Sequence, residues 1–309
     1  MKNIFGPVPS RRLGMSLGVD LIPYKTCSYD CIYCELGKTT KKTILRKEYI
    51  SKDLLIRHLE EYLSLLQSPP DYITISGSGE PTLNSKIGEI IKEIKCITTI
   101  PVAVITNGSL FFLDQVKEDL LSADVVLPSL DTVSPTVFTH INRPEPSLDI
   151  DNIIKGFIDF RKDFHGEIWL ETLFCRVLND DRSEIAKLRE KIEAIKPERI
   201  QLNTVVRPSS YDFAHPLSEK QLVSIKELLG TKAEIISDIV PSGRGTHFAD
   251  EEEKIISLIA RRPCTFDDIC KALELHSNET LKYLNKLQKE GRVHYTLHHH
   301  NTYYQLVNV

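Results

Sequence analysis

Three cysteines, Cys27, Cys31 and Cys34, form a Cx3Cx2C pattern directly after an apolar segment with the composition of a strand. Cysteine thiolates bind iron–sulfur clusters, and a [4Fe-4S] cluster in a purely structural site takes four of them. No fourth cysteine follows nearby in the sequence. Three thiolates on one short loop therefore predict a cubic cluster with one iron left open for another ligand.

Other uses of three neighbouring cysteines fit the sequence less well. Structural zinc takes four Cys or His ligands, often in Cx2C pairs separated by a dozen or more residues, and no second pair follows Cys34. Disulfides suit short secreted chains, whereas this chain has 309 residues, seven cysteines and no expected secretory signal. A group of inert buried thiols stays open on the spacing alone.

The composition predicts two domains and no membrane partner. A chain of 309 residues can hold one large α/β domain and a smaller one. The formal net charge of −4 excludes a general attraction to nucleic acid but not a local basic patch. Apolar runs such as 16–23 and 125–128 are far shorter than a bilayer span, and free thiols suit a reducing compartment. We therefore expect a soluble, cytoplasmic protein.

Short apolar segments alternate with amphipathic ones over most of the chain. The amphipathic segments have apolar residues at helical spacing, as in Ile87, Ile90, Ile91 and Ile94. Helix-capping side chains are predicted at Ser51, Asp151, Asp181 and Ser218. Strands are predicted at residues 16–22, 72–76, 102–106, 124–130, 167–175 and 199–205. This alternation predicts an α/β fold, a partial (β/α)6 TIM-like barrel over residues 1–246.

A change of pattern near residues 242–246 predicts a second domain at residues 250–309. Helices are predicted at 251–262, at 265–273 after a Thr265/Asp268 capping box, and at 277–290 before Gly291. Alternating segments at 292–297 and 302–307 then predict a hairpin. Three helices followed by a hairpin predict a winged helix-turn-helix.

Polar residues stand where the predicted strands end. Ligands bind at the carboxyl ends of parallel strands in barrels and open sheets, so these residues are the first candidates for a site. Beyond the cysteine loop, the polar residues at strand ends are the segment 76–82, Asn107, Ser129, Asp131, Asn203 and Arg207.

With these residues placed, the chain resembles the radical S-adenosylmethionine (SAM) superfamily from residue 6 to about residue 246. The cysteine loop and the Gly-Ser-Gly-Glu-Pro segment at 77–81 occur in the order and at the strands that this family requires. The resemblance implies an enzyme whose [4Fe-4S] cluster binds the amino and carboxylate groups of SAM at its open iron. Reduction by a donor such as flavodoxin or ferredoxin would cleave SAM into methionine and a 5′-deoxyadenosyl radical, which abstracts hydrogen from a substrate.

The resemblance also implies roles for individual residues. The cluster ligands would be Cys27, Cys31 and Cys34, and the residues that bind SAM would be Tyr33, Gly77, Ser78, Gly79, Glu80, Asn107, Ser129 and Asp131. Tyr33 would contact adenine, and Glu80 with the glycine backbone would hold the ammonium group. Ser129 and Asp131 would bind the ribose hydroxyls. The family more often has Gly-Gly-Glu, so Ser78 brings a side chain to a turn where glycine allows close backbone approach.

Further segments narrow the resemblance. Residues 5–14, 141–144 and 206–208 are similar to a prokaryotic branch of the family loosely grouped with wyosine tRNA-modifying enzymes. RNA such as tRNA is therefore the favoured substrate, with the predicted winged helix as a docking element. A peptide or small molecule is the alternative substrate, recognised with the help of the winged helix. An iron–sulfur regulator that binds DNA is an alternative of another class.

Residues of the predicted barrel outside the cofactor set are also candidates. Glu171 and Cys175 have the same parity on the fifth predicted strand, so both would face the interior and Cys175 would be a hydrogen donor to a radical. The alternative for Cys175 is a small buried hydrophobic residue. A clamp for phosphate or carboxylate groups, or else a set of surface ion pairs, is indicated by Arg11, Arg12, Arg143 and Arg207.

The C-terminal domain offers weaker signals. Residues 250–309 contain eight Lys or Arg and nine Asp or Glu, a balance that argues against tight binding to a DNA backbone. One face of the third helix can still contact phosphates or bases through Lys282, Asn285, Lys286 and Lys289, or be a solvated surface. Histidines near the predicted wing tip, His294 and His298 to His300, indicate a polar turn rather than a metal site.

Overall fold

The computed structural model describes residues 3–236, 251–273, 275, 277–298 and 301–307. The predicted domain boundary at residues 246–250 lies outside these ranges, as do His299 and His300 of the predicted wing tip. The described elements form a long first part up to residue 236 and a short second part that begins at residue 251.

Strands and helices alternate throughout the first part. Its strands are β1 (Ile4–Ser10), β2 (Gly14–Val19), β3 (Thr26–Cys27), β4 (Lys41–Lys42), β5 (Tyr72–Ile75), β6 (Val102–Thr106), β7 (Val125–Pro128), β8 (Glu167–Phe174), β9 (Arg199–Thr204) and β10 (Ala233–Ile235). Its helices are α1 (Lys52–Leu65), α2 (Ile87–Ile97), α3 (Asp114–Leu120), α4 (Pro135–Ile141), α5 (Ile150–Asp163), α6 (Arg182–Ile195) and α7 (Glu219–Leu229), with a 3₁₀ turn at Pro81–Leu83.

Eight of these strands form one sheet in the order β1-β2-β5-β6-β7-β8-β9-β10. β1 pairs with β2 in antiparallel fashion, and every other pair in this sheet is parallel. From β5 onward, each strand lies beside the strand that follows it in the chain. This order is that of a singly wound barrel, unlike a doubly wound sheet, in which the strand order reverses. The predicted partial TIM-like barrel is confirmed.

Apolar stripes attach the helices to the sheet. In α2 the predicted stripe of Ile87, Ile90, Ile91 and Ile94 is fully buried, and each such side chain contributes roughly 1.5–3 kcal/mol relative to exposure. The helix start predicted at Asp151 is wrong by two residues, because Asp149 accepts the Asn152 amide and caps α5. Within the described ranges, no helix has the length and apolarity needed to cross a bilayer.

The eight-stranded sheet contains two strands that the sequence patterns did not predict. β1 carries Gly6, Pro7 and Pro9, residues that usually weaken a strand but are tolerated at a sheet edge because proline lacks only an amide donor. β10 has three residues, too few to show an alternating pattern. Both strands lie at the ends of the sheet, where the sequence signal for a strand is weakest.

The second part contains three helices and a small sheet. Its elements are α8 (Glu251–Ile259), β11 (Cys264–Thr265), α9 (Phe266–Leu273), α10 (Ser277–Lys289), β12 (Val293–His298) and β13 (Asn301–Leu306). The sheet has the order β11-β13-β12 and is antiparallel, so the predicted helices and hairpin are present and β11 is added. Ile255, Ile269 and Leu287 are at the centre of its core. The assignment as a winged helix stays a prediction.

Candidate active site

The cysteine loop is fixed to the glycine turn by backbone hydrogen bonds. Lys25 N donates to Ser78 O at 2.7 Å, and Glu80 N donates to Thr26 O at 3.2 Å. Gly79 permits this approach, because a Cβ at that position would lie 1.9 Å from Thr26 O. The turn after β5 therefore determines where the first cysteine of the loop stands.

We expect Gly79→Ala to reduce iron incorporation several-fold, because the methyl group would push the Thr26 carbonyl and hence Cys27 out of place. Overpacking of this kind costs about 1–3 kcal/mol. The measurements are iron per chain after anaerobic reconstitution and the free energy of unfolding in urea. Gly37→Ala is the control, since a Cβ on Gly37 meets nothing within 4 Å, although Gly37, unlike Gly79, has a positive φ of 84°. Equal iron content in the two variants would contradict this account.

Each cysteine of the loop has its own nitrogen donor. Asn107 Nδ2 donates to Cys27 Sγ at 3.5 Å, and Asn142 Nδ2 donates to Cys31 Sγ at 3.6 Å. Lys25 Nζ lies 3.1 Å from Cys34 Sγ. Among the described residues, no three His, Cys, Asp or Glu side chains converge closely enough to hold a single metal ion. The three thiols are thus each contacted by a separate polar side chain.

Burial favours the neutral form of these thiols. Burial, with a smaller contribution from the nearby Glu80 carboxylate, raises the pKa of Cys27 to about 12. Burial likewise raises the pKa of Cys31 well above its ordinary value, with a further contribution from Asp131. Thiolates bind metal, so iron binding must displace protons here and depends on compensating positive charge.

Lys25 supplies that positive charge, and the sequence patterns did not single it out. Its side chain is 3% exposed. Burial lowers the pKa of Lys25, but Cys34, Cys27 and Cys31 together raise it by a greater amount, so that the pKa lies above the usual lysine value. Lys25 therefore carries a buried positive charge beside the three sulfurs. In the sequence, the only feature that could have indicated a role for Lys25 was its position two residues before Cys27.

Glu80 connects the turn after β5 to the end of β6. It is 1% exposed, and its Oε1 accepts from Thr82 N at 3.0 Å, Thr82 Oγ1 at 2.5 Å and Thr106 Oγ1 at 2.6 Å. Its Oε2 accepts from Asn107 N at 2.7 Å. Burial raises the pKa of Glu80, and these four hydrogen bonds oppose that shift without cancelling it. Glu80 is thus both a structural acceptor and a carboxylate at the edge of the site.

Tyr33 and Asp131 form a polar network behind the cysteine loop. Tyr33 OH donates to Asp131 Oδ2 at 2.5 Å, and Asn142 Nδ2 donates to the same oxygen at 2.6 Å. Leu173 N donates to Asp131 Oδ1 at 2.9 Å. Burial raises the pKa of Asp131 to about 6 despite these hydrogen bonds. Asn142 joins this network to Cys31, a connection that sequence reasoning missed because the two residues are far apart in the chain.

A cavity of about 420 Å³ lies at the carboxyl ends of the parallel strands. The predicted site residues that line it are Cys27, Tyr33, Cys34, Gly77, Gly79, Glu80, Asn107, Ser129 and Glu171. Asp131 is not among the residues lining this cavity and lies behind Tyr33 instead. Residues from five separate strands, or from the turns after them, thus lie together at this cavity.

Helix α8 of the second part forms one wall of this cavity. Ser257, Leu258, Arg261 and Arg262 line it together with the cysteine loop. Arg261 NH1 donates to Asp20 Oδ2 at 2.7 Å, and its guanidinium lies 4.0 Å from the centre of the Phe5 ring. The C-terminal part therefore completes the site.

The same aspartate explains the serine in the glycine turn. Asp20 Oδ2 accepts from Ser78 Oγ at 2.5 Å and from Ser78 N at 3.1 Å. Gly77 has a φ of +143°, and a Cβ on it would lie 2.6 Å from the carboxyl carbon of Asp20. The Ser78 side chain is thus held by Asp20 beside Arg261, and Gly77, like Gly79, is a position that requires glycine.

Glu171 faces the cavity and is paired with an arginine. Arg12 NH1 donates to Glu171 Oε2 at 2.5 Å, and Asn203 Nδ2 donates to Oε1 at 3.0 Å. Arg143 of the predicted clamp lies elsewhere, 3.5 Å from Asp30 and over the Tyr211 ring. The structure therefore keeps Arg11, Arg12 and Arg207 at the cavity and removes Arg143 from it.

We expect Glu171→Gln to lower the free energy of unfolding by about 1–3 kcal/mol at pH 7, because it leaves Arg12 without its partner. Burial raises the pKa of Glu171, but Arg12 and Asn203 lower it by more, so the folded pKa lies below 4.5. The stabilisation is then present above pH ~4.5 and lost as pH falls through the folded pKa. Urea unfolding at several pH values, with exposed Glu190→Gln as control, measures it. If the difference in the free energy of unfolding between the wild-type protein and Glu171→Gln grew as the pH fell, the pairing of Glu171 with Arg12 would be contradicted as its source.

Cys175 does not share the cavity with Glu171. β8 ends at Phe174, and the chain then turns, so the parity of the strand no longer applies to residue 175. Cys175 is fully buried and packs in an apolar cluster with Ile32, Ile141 and Val205. This surrounding favours the small hydrophobic residue over the hydrogen donor.

Comparison with known proteins identifies the family. The radical SAM superfamily model matches residues 21–204. UPF0026 protein MJ1312 from Methanocaldococcus jannaschii is 34% identical over 296 residues, which cover 94% of this chain and 91% of that protein. A protein named GTPase Obg from Brachyspira hyodysenteriae is 40% identical over 296 residues, 94% of this chain but only 43% of that protein, so the chain spans less than half of that relative.

Solved structures share the fold at low sequence identity. A radical SAM methyltransferase from Sphaerobacter thermophilus has a TM-score of 0.53 at 15% identity, over 71% of this chain and 65% of that one. SuiB from Streptococcus suis has a TM-score of 0.51 at 15% identity, over 68% of this chain and 44% of that one. The resemblance to the branch grouped with wyosine enzymes stays a prediction. By its sequence, the chain belongs to the radical SAM superfamily, whose enzymes use a [4Fe-4S] cluster to cleave SAM.

Proposed function

We propose that Cys27, Cys31 and Cys34 hold the [4Fe-4S] cluster at which this enzyme cleaves SAM. The observation that carries the proposal is the position of Cys27 and Cys34 at the cavity that Glu80 also lines. The donor set fits a cluster, because hydrogen bonds and a buried ammonium group stabilise metal-bound thiolates. Bound there, the cluster supplies the electron that converts SAM into methionine and a 5′-deoxyadenosyl radical.

Other residues at this cavity would bind SAM. Glu80 Oε2 accepts one hydrogen bond from the described residues, so it keeps a lone pair for the SAM ammonium group. Tyr33 would contact adenine, while the backbone of Gly77, Ser78 and Gly79 borders the amino-acid moiety. Further polar contacts would come from Asn107, Ser129 and, through Tyr33, Asp131. Flavodoxin or ferredoxin would supply the electron.

RNA such as tRNA is the substrate that we propose. A shallow groove on α10 is lined by Lys282, Asn285, Lys286 and Lys289, side chains that suit a phosphate backbone, and by Glu290 just after the helix. Lys286 also pairs with Glu252, which reduces the positive charge of this face. Because the cavity is enclosed by α8, only an unstacked nucleotide would reach the reacting atoms.

Nucleoside analysis tests the RNA proposal. A strain that lacks the gene and its parent are grown anaerobically, and their tRNA is digested to nucleosides and compared by mass spectrometry. We expect one modified nucleoside to be lost in the deletion strain and restored by the wild-type gene but not by a gene carrying Cys31→Ala. Identical nucleoside profiles would argue strongly against tRNA.

A peptide or small molecule is the second candidate substrate, and one observation favours it. Leu258 of α8, together with Arg261 and Arg262 just after that helix, closes one side of the cavity, which suits a substrate that enters whole. The near balance of charges in residues 250–309 points the same way. Identical nucleoside profiles, together with a small metabolite that accumulates in the deletion strain, would support this candidate.

A further inference from the structure

Arginine is the dominant charged residue of the cavity. Its arginines are Arg11, Arg12, Arg207, Arg261 and Arg262. Arg12 pairs with Glu171, Arg261 with Asp20, and Arg207 with Glu35 at 3.1 Å. No described residue forms an ion pair or hydrogen bond with the side chain of Arg11 or Arg262. The Glu35 carboxylate, which pairs directly with Arg207, is the nearby negative charge that all three arginines share.

Arg207 has spare hydrogen-bonding capacity at the same place. Its side chain is almost fully buried, at 5% exposure for the residue. Its Nε has no acceptor among the described residues, although NH1 donates to Glu35. A buried donor without an acceptor costs about 1–3 kcal/mol, and buried polar groups are otherwise almost always paired. An acceptor supplied by a bound molecule would remove that cost.

The surroundings of Arg11 place an excess of positive charge there. The pKa of Arg11 is lowered to about 10, chiefly by burial and then by the neighbouring Arg207. Glu35 opposes this shift. Arg12 and Arg262 add to the positive surroundings. On the far side, Asp267, Asp268 and Lys271 line a smaller adjoining cavity shared with Arg11 and Arg207. Asp268 accepts the Thr265 amide at 3.0 Å and thereby caps α9.

We propose that Arg11, Arg207 and Arg262 form a subsite for a phosphate group of the substrate. Guanidinium groups bind phosphate oxygens through paired hydrogen bonds, and three arginines from separate segments can serve three oxygens at once. Glu35 directly follows Cys34, so the subsite adjoins the cysteine loop. The inference rests on the proposed function, since it takes the substrate to lie beside SAM in this cavity.

The subsite requires both parts of the chain. Arg11 follows β1, and Arg207 follows β9, while Arg262 follows α8 of the second part. The C-terminal part would thus contribute directly to substrate binding. This contribution does not depend on the basic face of α10.

Calorimetry on reconstituted holoenzyme tests the subsite. Inorganic phosphate is titrated anaerobically into protein saturated with SAM, so that the carboxylate of SAM already occupies its own site. We expect Arg11→Gln and Arg262→Gln to weaken phosphate binding tenfold or more, with partial recovery in Arg11→Lys. Arg176→Gln is the matched control, because Arg176 is exposed and lies outside the cavity. Iron content and substrate-free release of 5′-deoxyadenosine should be unchanged in the control Arg176→Gln.

Three results would overturn the subsite. The first is equal phosphate affinity in the wild-type protein and Arg11→Gln, and the second is no phosphate binding by the wild-type protein. The third is phosphate binding that SAM abolishes, which would assign the arginines to SAM itself. Wild-type protein that binds phosphate but releases no 5′-deoxyadenosine would contradict the proposed function alone. A short 5′-phosphorylated RNA and a mononucleotide are then compared as ligands, and tighter binding of either supports the subsite and identifies the source of the phosphate.

Discussion

Cys31→Ala is expected to abolish the cluster and with it all release of 5′-deoxyadenosine. Three thiols are available on the loop, and a cubic cluster already leaves one iron without a cysteine. Removal of a second cysteine contact would leave two thiolates to hold four irons. Iron should fall from about four per chain to well below one after anaerobic reconstitution, and the visible absorption of the cluster should be lost.

Cys96→Ala is the control for this experiment. Cys96 is exposed on α2, so its replacement should leave iron content and 5′-deoxyadenosine release unchanged. A full cluster in Cys31→Ala would contradict the ligand assignment. If the wild-type protein released no 5′-deoxyadenosine but bound a specific DNA sequence, the regulator considered from the sequence would be supported in place of the enzyme.

The barrel was predictable because its signals are local. Buried parallel strands are short apolar runs, and amphipathic helices repeat every three or four residues, so β5, α2 and β6 each carry their own pattern. β1 lacks such a pattern, since Gly6, Pro7 and Pro9 interrupt it. Its place is determined by pairing with β2, a long-range contact that no window of sequence contains.

The site, like the fold, has a part that local sequence signals predict and a part that they do not. Glu80 and Asn107 follow predicted strands and Ser129 lies near the end of one, so their convergence at one edge follows from the topology. Contacts between distant segments do not follow from it. The approach of Asn142 to Cys31 and of Arg261 to Asp20 depends on how loops and the second part pack, and Arg143 left the predicted clamp for the same reason.

The wall formed by α8 affects how a substrate can reach the cavity. A radical centre must be protected from solvent, and closure of a site by a separate part of the chain serves that purpose. Here Arg261 joins α8 to the Asp20 carboxylate that also holds the turn of Ser78. The C-terminal wall of the cavity and the glycine turn are therefore joined by hydrogen bonds to one carboxylate.

Glu80→Gln is expected to weaken SAM binding by about 10- to 100-fold while leaving the cluster in place. The amide oxygen can occupy the position of Oε1 and keep the three hydrogen bonds from Thr82 and Thr106. The NH2 group then replaces Oε2 and opposes the Asn107 amide. A hydrogen bond to a charged group contributes about 1.5–3 kcal/mol, which corresponds to the expected loss of affinity.

Equilibrium binding of SAM to reconstituted protein measures this effect, with iron content as the test of an intact cluster. Glu89→Gln provides the same change of charge at an exposed position of α2 and should bind SAM normally. Lower stability with unchanged SAM affinity would mean that Glu80 serves only to connect the turn after β5 to the end of β6. Lower affinity with normal iron content would instead assign its Oε2 to the ammonium group, because the substitution leaves intact every hydrogen bond that Oε1 accepts.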